Sequence, residues 1–298
     1  MDIYCAGIEA IDKITRRVIG EDRVRCAFAS YYLLRKRGTN YMPFYRDHIQ
    51  KLIVDSGAHS FFSELSGMDT ASVVRKKSRT EITPHEYWET YKAWLVENQL
   101  YLDYFAELDI GELVGQGTVE EWREELRDLG LMSKCITVYH PAVMDEERWL
   151  RMLDESESRY VALEGLRGGK ARFPYLDRVR QCYERGVRVH GFAMVKNKWM
   201  NLVPFTSVDS ISWKAGAMFG AVYNADDEGK VGVIRSNRRE GMESLRGKVG
   251  PELLTRATKA ERERALYDVM CTGADAMQVR ERHFTSLWKA RGVEWDAA

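Results

Sequence analysis

Polar side chains close a series of apolar runs along this chain, and their types suit acid–base and nucleophilic chemistry. Asp55 ends "KLIVD", Glu107 and Asp109 lie in "YFAELD", His140 ends "ITVYH", Glu164 ends "YVALE", His190 lies in "RVHGFAM", and Asp209 lies in "SVDSIS". A core strand has no use for a carboxylate or an imidazole at its end, whereas a catalytic rim uses both. Each residue alone has a plain structural explanation. An Asp before Ser or Gly is often a turn or helix cap, and a lone histidine is often a satisfied core residue. Recurrence at the same relative position in successive runs is what a shared site predicts.

Several chemistries use such a set. Metal-dependent hydrolysis favours His-x-His or a compact His/Asp cluster, and the sequence has neither. Glycosyl transfer favours two carboxylates with divided roles. One attacks the anomeric carbon, and the other shuttles a proton to and from the leaving group. Asp55, Asp109 and Asp209 can supply such a pair.

The elements that must carry these residues alternate in type. "DIYCAGI", "RVRCAFASYYLL" and "KLIVDSG" read as strands, with a helix as the alternative for the second. "TPHEYWETYKAWLVEN" opens with Thr83 and Glu86 in capping-box spacing and reads as a helix. "TVEEWREELRDLG", "DEERWLRMLDES" and "PYLDRVRQCYERG" are amphipathic, with glycines closing the first and third and Pro174 opening the third. From residue 51 to 213 strand and helix alternate strictly, which predicts a parallel sheet with crossover helices. About eight such units in roughly 220 residues match an α/β (β/α)8 TIM barrel. A doubly wound sheet is the alternative, but no G-x-G-x-x-G follows the first strand. Residues 1–220 are expected to form the barrel. Residues 221–298, with a hairpin near "DDEGK" and a long helical stretch, are expected to form a C-terminal extension packed on it.

Composition narrows the class. The 298 residues are 45% apolar and 30% charged, with a formal net charge of zero. The chain as a whole is no polycation, so nucleic-acid binding requires a local basic face. Such clusters exist: Arg75, Lys76, Lys77 and Arg79; Arg167, Lys170 and Arg172; Lys196 and Lys198; and Arg235, Arg238 and Arg239. Most follow barrel strands, so they are expected to rim the face that holds the acids. Trp199 and Trp213 stand near the same ends, where core packing competes with base stacking. The five cysteines are scattered, which argues against disulfides and zinc knuckles and suits a reducing cytoplasm. No run of 18 apolar residues occurs, so a membrane span is not expected, and the acidic start does not read as a signal peptide.

Taken in order, "LIVDSGAHSFF", "ELDIG", "VYH", "ALEGLRGG", "HGFAM" and "SVDSISWKAG" resemble the strand-end motifs of the tRNA-guanine transglycosylase superfamily. The resemblance is closest to its short phage and mobile-element branch, which includes DNA-guanine transglycosylases that insert 7-deazaguanines into DNA. It covers roughly residues 1–220. It implies that Asp209 is the nucleophile that attacks C1′ and that Asp55 is the general acid/base. It implies further that Asp109 accepts from the N–H edge of the base, that His140 faces its carbonyl, and that Gly165 and Leu166 touch it through their backbone. Met194 would pack on the ring, and Ser56 and Gly57 would let the chain turn close to it. His59 stands where the family usually carries a stacking aromatic. A clustered-cysteine zinc site, found in the family's tRNA enzymes, has no counterpart, because Cys271 and His283 stand alone. The implied reading is therefore guanine exchange in DNA with a free 7-deazaguanine base, without metal or cofactor. The same exchange on tRNA, a barrel nucleoside or glycoside hydrolase, a non-catalytic nucleic-acid-binding subunit and a homodimer stay open.

Overall fold

The computed structural model describes residues 1–9, 12–61, 82–141, 143–164, 175–214, 221–226, 229–235 and 258–295. Eight parallel strands close a barrel in the order of the chain. They are β1 Asp2–Ala6, β2 Cys26–Ser30, β3 Lys51–Asp55, β4 Tyr104–Ala106, β5 Cys135–Tyr139, β6 Tyr160–Leu163, β7 Arg188–Gly191 and β8 Ser207–Ser210. Every residue of β5 and β6 is buried. Continuous apolar strands of this kind are what a parallel sheet covered by helices requires.

The second strand is shorter than the sequence suggests. β2 stops at Ser30, and Tyr31–Leu34 turns helical. The Tyr31 ring there packs 4.8 Å from that of Tyr91 and 5.6 Å from that of Tyr87. The helices Lys13–Gly20 and Met42–His48 complete the first two crossovers. The former carried a local signal in Asp12, whose Oδ1 accepts the Thr15 N–H at 2.7 Å.

By its contacts the chain forms two compact units: Met1–Phe28 with Asp47–Lys51 and Gly165–Ala298, and Ala29–Arg46 with Leu52–Glu164. In the second unit the helix Pro84–Asn98 starts with the expected capping box, Thr83 and Glu86 bonding each other reciprocally. This helix buries Tyr87, Trp88, Tyr91 and Leu95. Two of these residues also fix strand ends. Tyr87 Oη donates to the Ser56 carbonyl at 2.6 Å, just past β3. Tyr91 Oη donates to the Ala106 carbonyl at 2.7 Å, the last residue of β4. Trp88 stacks on Trp122 at 5.0 Å and so ties this helix to the next, Gln116–Asp128.

In the first unit β1 pairs with β8, Tyr4 lying opposite Asp209. The helix Lys259–Ala290 packs on this part of the sheet. Glu281 accepts the Ile3 N–H at 3.2 Å and pairs with Arg25 at 3.0 Å. Gly273 must be glycine, because a Cβ there would lie 2.2 Å from the Trp213 carbonyl oxygen. Arg280 bonds Asn197 Oδ1 at 2.8 Å and also the Val195 carbonyl, so the helix braces the loop that follows β7. β9 Ala221–Ala225 and β10 Val231–Arg235 form the antiparallel hairpin expected near "DDEGK", with Asp226 Oδ1 accepting the Lys230 N–H at 2.8 Å. No helix among the described residues is long and apolar enough to cross a membrane.

Candidate functional site

In the second unit the strand ends bring three ionisable residues together. His140 directly follows β5, and Glu164 directly follows β6. Tyr139 and Leu163 are register partners, so the two next residues leave the sheet side by side. Asp109 leaves β4, the neighbour of β5 on the other side. His140 Nε2 lies 2.9 Å from Asp109 Oδ2, and Nδ1 lies 3.3 Å from Glu164 Oε2. Burial alone would lower the pKa of His140, but the two carboxylates outweigh it and raise the value to about 10. The ring is therefore an imidazolium at neutral pH. Burial holds the Asp109 carboxyl above its ordinary pKa, with His140 acting in the opposite direction.

Asp55 ends β3 and turns its carboxylate back on the chain, Oδ2 accepting the Gly57 N–H at 3.0 Å. Ser56 is buried, and its Oγ has no hydrogen-bond partner among the described residues. Gly57 has φ +79°. A Cβ there would stand 2.3 Å from Tyr32 Cβ, so the close approach that requires glycine is to the start of the helical turn after β2. His59 is exposed on the helical residues 58–61.

In the first unit Asp209 lies within β8 and is buried. Its Oδ1 accepts the Ala193 N–H at 2.7 Å and lies 3.4 Å from His190 Nε2. Among the described residues these two partners both fall on Oδ1. His190 Nδ1 lies 2.6 Å from Ser207 Oγ. The Nε2 contact with Asp209 lacks hydrogen-bond alignment. The imidazole is fully buried, stacked on Phe28 at 5.5 Å with Phe192 edge-on at 5.0 Å. Ala193 holds φ +54°, a left-handed conformation that costs an L-residue about 1–2 kcal/mol. Its N–H is thereby fixed toward the aspartate. Met194, next in the chain, is buried.

The remaining sequence candidates divide. Lys196 and Lys198 are exposed in the loop and helix after β7, Lys198 lying over the Trp199 ring. Trp213 belongs to the core, with Nε1 bonded to the Ala6 carbonyl at 2.7 Å. Arg235 ends β10. Gly165, Leu166, Arg167, Lys170 and Arg172, the cluster Arg75, Lys76, Lys77 and Arg79, and Arg238 and Arg239 lie outside the described residues.

One strand-end acid has a structural task. Glu107 is buried, takes both Nε and Nη2 of Arg123 at 2.6 and 2.8 Å, and accepts the Val138 N–H at 2.6 Å. Sequence reading missed Lys214, a buried lysine whose Nζ donates to the Gly7 carbonyl at 3.0 Å. Its only local mark is the unusual position of a lysine directly after an apolar tryptophan.

Among the described residues, Asp2, Cys26 and Glu281 are close enough together to share a cation. Both carboxylates already meet a cation of the chain, Asp2 meeting Lys51 at 2.7 Å and Glu281 meeting Arg25. All five cysteines are free and buried.

The fold and these clusters define a closed α/β barrel whose strand ends carry carboxylates and imidazoles. No family model, no curated protein and no solved structure matches the chain.

Proposed function

We propose that this protein is a base-exchange transglycosylase that replaces guanine in DNA with a 7-deazaguanine through a covalent glycosyl-aspartate intermediate. The observation that carries the reading is the asymmetry of Asp209. Its Oδ1 is held by the Ala193 N–H, and no partner among the described residues engages Oδ2. A nucleophilic carboxylate needs this arrangement, one oxygen anchored and the other available to attack.

In the first displacement Asp209 Oδ2 bonds to C1′ as the C1′–N9 bond breaks, and the bonding pair leaves on the base. Asp55 supplies the proton that the departing guanine takes up. In the second, N9 of the incoming base gives its proton to Asp55 and attacks C1′, and Asp209 leaves. Two displacements retain the configuration. Asp109 supplies an acceptor to the ring edge, and His140 a positive charge beside it. The target nucleotide must leave its stack, at a cost of a few kcal/mol, and Lys196 and Lys198 are exposed cations suited to backbone phosphates.

The test incubates the protein with guanine-labelled DNA or tRNA and 7-cyano-7-deazaguanine. Guanine released from DNA with uptake of the deaza base, lost in Asp209→Ala, supports the reading. Release from tRNA alone moves the substrate, and release without uptake makes the protein a hydrolase. No release from either polymer overturns the proposal.

A further inference from the structure

We propose that Glu164 is a positioning residue for His140: with Asp109 it holds the imidazole as a cation beside the base, so that negative charge building on the leaving ring meets a fixed positive charge. The role at the base rests on the base-exchange reading, whereas the coupling of Glu164 to His140 does not.

Parallel pairing of Tyr139 with Leu163 delivers His140 and Glu164 to adjacent strand ends. Asp109 approaches the ring from the other side, and the two carboxylates lie 2.9 and 3.3 Å from opposite nitrogens. The contact with Asp109 is a formed hydrogen bond. That with Glu164 is an ion pair without hydrogen-bond alignment, which leaves Nδ1 buried and without an aligned acceptor. Glu164 therefore acts by charge at short range, where low exposure makes charge effective.

Other charged groups do not duplicate this role. Among the described residues the groups facing the ring are Asp109 from the end of β4 and Glu164 from the end of β6. Glu107 acts on Asp109 and is itself neutralised by Arg123. With a neutral imidazole, the two carboxylates would face each other across an uncharged ring. The protonated ring separates them and offsets one of their two charges, so that less repulsion meets a leaving ring. A purine leaving through N9 spreads charge over the ring before the proton from Asp55 is fully transferred, and a fixed cation nearby lowers that barrier.

The test uses the full chain and two readouts. The first is the His140 ring titration followed by NMR. The wild-type midpoint is expected near 10, Glu164→Gln should lower it by about one unit or more, and Glu164→Asp should restore most of the difference. A Glu164→Gln midpoint equal to that of the wild type overturns the proposal. The second readout is guanine exchange on DNA against pH. Glu164→Gln should lose kcat about tenfold at alkaline pH and recover it in acid, with KM little changed. A loss uniform across pH would mark a merely structural role and overturns the proposal. If the ring midpoint shifts while the wild type exchanges no guanine, the coupling stands and the base-exchange reading falls.

Discussion

Ala193 gives its backbone N–H to Asp209 Oδ1 at 2.7 Å while holding a left-handed φ of +54°. A residue with a Cβ adopts this conformation only where its surroundings impose it, and such strain collects at functional sites. Here it aims one donor at one oxygen of the carboxylate proposed as the nucleophile. Asp209→Asn keeps the shape of the side chain and removes its charge. Exchange should fall by roughly 10³-fold or more, and no covalent adduct with DNA should form. Adduct capture on denaturing gels checks this, and an adduct at wild-type yield would remove Asp209 from the nucleophile's role.

Gly57 stands two residues beyond Asp55, at φ +79° and against Tyr32. Gly57→Ala combines an unfavourable backbone conformation with a Cβ placed 2.3 Å from Tyr32 Cβ. A loss of at least about 2 kcal/mol is expected in urea unfolding. A variant as stable as the wild type would show that the turn after β3 adapts freely.

Glu107 and Arg123 form a buried, two-pronged ion pair. Glu107→Ala strands the guanidinium and should cost about 3–5 kcal/mol. Replacing both residues with apolar ones should recover much of that loss, because no charge is then left unpaired. Chemical denaturation of the two variants measures the difference. A double variant no more stable than the single one would contradict this account.

His140 makes stability depend on pH. Its pKa rises from an ordinary 6.5 to about 10 in the fold. A raised pKa means that the stabilising effect is complete below the ordinary value and is lost as pH climbs through the folded value. Relative to His140→Gln, the wild type should therefore lose stability between about pH 6.5 and 10. Denaturation midpoints of both proteins across that range test the sign. A wild-type advantage that grows with pH would mean that the ring is held neutral.

Much of this arrangement was legible along the chain. Thr83 and Glu86 announced a helix, because a capping box is completed within four residues. The apolar runs before Asp55, His140 and Glu164 marked strands, since a strand buried on both faces must be apolar throughout. Where β2 ends was not legible: the stretch read as strand or helix, and it is strand to Ser30 and helical from Tyr31, because the tyrosines are equally at home in strands.

The sequence by itself determined the alternation of strands and helices and the polar residues at or near most strand ends, since apolar runs, caps and turn residues act over a few positions. Only the tertiary structure decided what each polar residue does. Glu107 and Asp109 stand two positions apart in one strand-end motif. One is buried against Arg123, and the other meets His140, 31 residues further along the chain. Ion pairing and desolvation depend on distance in space, which the packing of strands sets and residue spacing does not encode.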